Sequence, residues 1–188
     1  MATRRKSVET PLPSAAAAGT VGSPQYLDHL KKINDIYYDQ IRIADQKAAY
    51  IFTFMLAFLV SSAEGRGVFK LQRYLTGDPL AIALSAILAL AVVVSLVSAI
   101  LVVLPRHRAT STSLYWGGWP TNRELFLSAN ASLDQAYLFE QYLGNVDNLS
   151  AINRAKYRFV AFAFRGLLVA VVTYVFLLGA GVSATSLP

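Results

Sequence analysis

The sequence predicts an all-α integral membrane protein with about three transmembrane helices. A small cytoplasmic helical bundle joins them, formed by the N-terminal helix and the loop between spans 2 and 3. Three observations carry this. Leu80–Leu104 is 25 residues long and holds no charge. As a helix it rises ~37 Å, enough to cross a hydrocarbon core of ~30 Å with some tilt. The 188-residue chain is 55% hydrophobic and only 15% charged, too apolar for an ordinary soluble domain of this length. Third, its Lys and Arg are unevenly shared. Met1–Lys47 holds 7 and Arg106–Arg158 holds 6, against 3 in Glu64–Pro79. Basic segments stay on the cytoplasmic side, so this count places the N-terminus in the cytoplasm and the C-terminus outside.

Residues 1–22 read as a disordered basic tail, with Arg4, Arg5 and Lys6 ahead of two prolines and an alanine run. They lack the apolar core of a signal peptide. Ser23 and Pro24 suit a helix start, since Ser caps and Pro tolerates the first turn. Over 23–47, Tyr26, Leu30, Ile33, Tyr37, Ile41, Ala44 and Ala48 recur at three- and four-residue spacing, an amphipathic stripe made to pack on another helix. Nothing breaks this helix before the apolar run 48–63, the first span. At 16 residues it is short, with Lys47 and Arg66 placed to snorkel.

Residues 64–79 form a short periplasmic loop and 80–104 the second span. Residues 105–158 are the other polar segment. It opens on Arg106-His107-Arg108, and Gly and Pro keep Leu114–Pro120 out of regular helix. Asn122–Ala129 suits a short helix. Ser132 and Gln135 form a capping box for a helix running to Gly144, and Asp147-Asn148 restart another. That helix turns apolar at Phe159, giving a third span over 159–183. Arg165 is its one charge, placed to snorkel or to face the bundle interior.

No catalytic set emerges. Cysteine is absent and the two histidines, His29 and His107, have no second ligand at metal spacing. No nucleophile elbow, zinc-protease or phosphate-loop motif occurs, so an enzyme, a metal site and a resident cofactor are not expected. The net charge of +6 fits the positive-inside bias better than nucleic acid.

Two clusters invite a ligand. Arg42, Asp45 and Lys47 lie just below the first span. The cations can hold a phosphate and the carboxylate can accept from ribose or base. The plainer reading is intrahelical pairing beside a membrane flank. Ser113, Tyr115, Trp116 and Gly117 follow the second span. Aromatics beside glycine suit stacking on a planar base with close backbone approach, or simply anchoring at headgroup level.

The order of these pieces resembles a known family. Tyr37-Tyr38-Asp39-Gln40 leads into Ala44-Asp45-Gln46-Lys47-Ala48 at the mouth of an apolar run. The second span ends Val103-Leu104-Pro105-Arg106. Leu114-Tyr115-Trp116-Gly117 follows, and Lys156-Tyr157-Arg158 opens the last span. This looks like the transmembrane effectors of Pycsar, the pyrimidine cyclase system for antiphage resistance, over most of Leu27–Leu178. Gly118-Trp119 departs from the more acidic continuation expected there.

The resemblance implies a role in the bacterial inner membrane. A partner nucleotidyl cyclase makes cUMP or cCMP, and the effector binds it in the cytoplasm. The spans rearrange or form a homo-oligomer within membrane lipid, and the infected cell dies. Asp45, Lys47, Tyr115, Trp116 and Gly117 carry over by resemblance; Arg42 and Ser113 rest on their own chemistry. Two alternatives stay open: a holin-like pore or channel subunit without nucleotide gating, and a membrane anchor or scaffold for a cytosolic partner.

Overall fold

The computed structural model describes residues 23–76, 78–105, 112–115 and 117–185, the side chains of Thr76 and of residues 180–185 excepted. The expected tail 1–22, the basic run Arg106–Arg108 and Trp116 lie outside the described residues. The described residues form six helices: α1 (Pro24–Ser61), α2 (Ala63–Gly67), α3 (Gln72–Thr76), α4 (Pro79–Val103), α5 (Trp119–Ala131) and α6 (Gln135–Thr185). Three of them, α1, α4 and α6, are long and apolar enough to cross a membrane.

These three pack side by side. In the apolar half the seam is built from small residues. Ala91 and Ser95 of α4 face Ala163 and Gly166 of α6, and Ser98 and Ala99 of α4 and Ala170 of α6 are buried as well. A Cβ added at Gly166 would meet Ala91 O, Ser95 Cβ and Ser95 N, each at 3.0 Å. Only glycine lets the two backbones come this close. Ser95 Oγ donates to Ala163 O at 2.9 Å across the seam. The opposite faces carry exposed Phe54, Leu90, Val93, Val97, Phe164 and Phe176, as expected of a surface solvated by lipid.

At the far end of the spans, α2 and α3 turn the chain. Ser62 caps α2 by accepting from Gly65 N at 2.9 Å, and Asp78 Oδ2 caps α4 by accepting from Leu80 N at 3.1 Å. Arg73 pairs with Glu64 at 2.6 Å. Phe58 and Tyr174 stack edge to face at 4.9 Å, tying α1 to α6 there.

Three sequence expectations change. Helix α6 runs unbroken through Gly144 and Asp147, so no restart occurs. Gly144 instead admits Thr112, whose Cγ2 would lie 3.1 Å from an added Cβ. Asp134, not Ser132, caps α6: its Oδ1 accepts from Ala136 N at 2.9 Å, while Ser132 Oγ donates back to Ser128 O. A carboxylate next to the helix start outcompetes a hydroxyl already bonded to the preceding turn. Helix α5 begins at Trp119-Pro120 rather than Asn122. Proline fits a first turn, so it marks the start rather than a break. Helix α5 leans on the start of α6 through a ring chain from Trp119 through Phe126 to Tyr137.

Candidate functional site

The polar halves of α1 and α6 share one end of the bundle and are laced by side-chain bonds. Asn145 Nδ2 donates to Asn34 Oδ1 at 2.5 Å, and Thr112 Oγ1 donates to Asn145 Oδ1 at 3.3 Å. Asn153 Nδ2 donates to Gln40 Oε1 at 2.7 Å. Nearest the apolar half, Lys156 forms an ion pair with Asp45. On α6 the buried positions Asn145, Leu149, Ile152, Lys156, Val160, Ala163, Ala170 and Thr173 follow one helical stripe. The same seam therefore changes from amide and charge to methyl and methylene without a break in either helix.

Around this seam α1 has two flanks. On one, Tyr38, Asp39, Arg42, Asp45 and Gln46 meet the end of α4 at Val103, bounding an open cleft of about 720 Å³. Tyr38 Oη donates to Leu114 O at 3.4 Å, which holds the 112–115 segment against this flank. Ser113 N donates to Gln141 Oε1 at 2.6 Å, fixing the same segment to α6. An apolar cleft lined by Ala48, Phe52, Ile100 and Pro105 continues from it, sharing Ala49 and Val103.

On the other flank, Tyr37 and Gln40 of α1 face Ser150, Asn153, Arg154 and Tyr157 of α6 across a groove of about 520 Å³. Lys47 Nζ sits 5.7 Å from the centre of the Tyr157 ring, a cation–π contact.

The expected ligand residues are therefore divided. Arg42 and Asp45 line one cleft, with the Ser113–Tyr115 segment tied beside it. Gly117 is exposed with open space around it. Lys47 belongs to the other flank. Two residues along a helix are about 200° apart in azimuth, so Asp45 and Lys47 cannot face the same cleft. Asp45 takes Lys156 as its partner instead. Sequence reading gave Tyr37, Gln40, Asn153 and Tyr157 no part in a ligand site. For Asn153 the available signal was the recurrence of Asn at 145, 148 and 153 along one helix.

Among the described residues no group of three or more His, Asp or Glu could hold a metal ion. Exposed Lys31 has its ammonium held above the ordinary 10.5 by its hydrogen bond to, and the charge of, Asp28. The pair lies on the α1 surface at 3.0 Å.

Fold and site together define a membrane-embedded helical protein whose spanning helices extend directly into a polar, hydrogen-bonded bundle. The family model of the Pycsar effector protein domain (PycTM) matches residues 29–183, and the chain belongs to that family, the effectors of an antiphage defence system. No curated protein and no solved structure matches the chain.

Proposed function

We propose that this chain is a defence effector gated by a cyclic pyrimidine mononucleotide, cUMP or cCMP, made by a partner nucleotidyl cyclase. Binding occurs in the polar half, on the cytoplasmic side of the bacterial inner membrane, with the C-terminus periplasmic. The occupied chains rearrange as a homo-oligomer and breach the membrane, so the infected cell dies. The chain performs no catalysis and needs no cofactor. The ligand contacts expected from the sequence fall on two flanks of α1, Arg42 and Asp45 with the Ser113–Tyr115 segment on one and Lys47 on the other, so a single bound nucleotide uses one of these sets.

One observation carries this reading: α1 and α6 each run unbroken from the polar bundle into the apolar half. A ligand that prefers one arrangement of the polar half shifts the populations of the whole helices, by as much as its affinities for the two states differ. Reconstitution in dye-loaded vesicles tests it. Micromolar cUMP or cCMP is expected to release dye, and AMP is not. Equal release without nucleotide would instead make the chain a holin-like pore. No release at saturating nucleotide, with a stoichiometric cytosolic protein retained, would make it an anchor.

A further inference from the structure

The two flanks of α1 differ in charge and in satisfied hydrogen bonds. The cleft at Arg42 is lined by two carboxylates, Asp39 and Asp45, against one guanidinium. A phosphate there meets repulsion from Asp39, while Asp45 is already paired with Lys156. The groove between α1 and α6 has no carboxylate in its lining, and its one charge is the exposed guanidinium of Arg154. Lys47 adds a second cation behind the Tyr157 ring. Two tyrosine rings, Tyr37 and Tyr157, line its walls.

Asn153 supplies an independent sign. It is 9% exposed, it lines the groove, and its Oδ1 is buried with no hydrogen-bond partner among the described residues. Its amide nitrogen is committed to Gln40. A buried acceptor without a donor is costly, and native folds rarely leave one. The Asn153 and Gln40 amides can rotate together, which turns the unmet atom from acceptor to donor. A pyrimidine edge presents just this choice: uracil offers N3–H beside O4, and cytosine N3 beside its amino group.

Resting on the nucleotide-gated reading above, we infer that the groove lined by Tyr37, Gln40, Ser150, Asn153, Arg154 and Tyr157 seats the ligand, a pyrimidine nucleotide. Arg154 takes the phosphate, a tyrosine ring takes the base face, and the Asn153–Gln40 amides read the base edge. Because Oδ1 of Asn153 is covered, a ligand reaches it only when α1 and α6 part at this level. The ligand thus satisfies in the opened state a group that the closed state leaves unmet, which is the differential contact that gating requires.

Titration calorimetry on the full chain in detergent, with cUMP, cCMP and the matching nucleosides, tests this. Arg154→Ala is expected to weaken the better nucleotide by about tenfold or more, and Arg154→Lys to recover part of the loss. The nucleoside, lacking phosphate, is expected to bind wild type and Arg154→Ala alike. Asn153→Leu is expected to weaken nucleotide and nucleoside together by about tenfold. If Arg154→Ala binds as wild type while Arg42→Ala loses the ligand, the seat lies on the other flank and this inference falls, though nucleotide gating survives. If wild type binds neither cyclic nucleotide, the gating reading falls and takes this one with it. Arg154 is exposed, so its variants fold even where Asn153→Leu does not.

Discussion

The apolar and polar halves of this bundle are made of the same helices but held by different forces. In the apolar half, α4 and α6 touch through Ala91, Ser95, Ala163 and Gly166, with backbones nearly in contact. Lipid removes the hydrophobic drive for helix association, so close van der Waals packing and a few hydrogen bonds do the holding. In the polar half, α1 and α6 meet through Asn34–Asn145, Gln40–Asn153 and Asp45–Lys156. Such bonds are each worth little net, because water offers similar ones to the separated groups. The apolar seam therefore resists any substitution that adds volume. The polar seam is able to trade partners, which a ligand-sensing region needs.

The largest expected effect tests the apolar half. Alanine normally favours a helix over glycine by about 1 kcal/mol. At Gly166 the sign reverses, because the new methyl meets Ala91 O and Ser95 N at 3.0 Å. Gly166→Ala is expected to cost about 2 kcal/mol, and Gly166→Leu more, read as thermal unfolding in detergent. A neutral Gly166→Leu would mean the close seam is not there.

Next comes the junction of the halves. Lys156 is buried and Asp45 half-buried. Lys156→Ala leaves Asp45 without its partner and is expected to cost about 2 kcal/mol, less than a fully buried pair because water reaches the carboxylate. Lys156→Met with Asp45→Leu is expected to regain most of it. A double-mutant cycle showing no coupling would remove the pair from the account.

The smallest effect belongs to Lys31 on the outer surface of α1. Lys31→Ala is expected to leave stability unchanged at neutral pH, since exposed pairs contribute little. The sign follows from the raised value: whatever Lys31 adds is present below its ordinary 10.5 and fades as pH rises through the raised value. A measurable drop at pH 7 would show that this surface is covered by something.

The spans were legible because charge-free runs have no other stable home than lipid or a large core. Leu80–Leu104 needed only its length and composition. The continuity of α1 was legible too, since no Gly or Pro interrupts it. Helix α6 was not, because Gly144 reads as a breaker until Thr112 is seen packed against it. Asp45 and Lys47 looked like one cluster in sequence. Helix geometry turns them to opposite flanks, and the true partner of Asp45 lies 111 residues away. The groove at Asn153 was hidden for a related reason: its partner Gln40 lies 113 residues away on another helix.

The central claim is that occupancy of the polar half is felt in the apolar half through α1 and α6. The chain has no cysteine, so spin labels can be placed at chosen sites alone. Val60 and Phe176 are exposed, near the far ends of α1 and α6. Pulsed electron resonance between labels at Val60→Cys and Phe176→Cys, in lipid, reads their separation with and without cUMP or cCMP. The account predicts a changed distance distribution when the nucleotide binds about 30 Å away along the helices. Saturated binding with an unchanged distribution would contradict it.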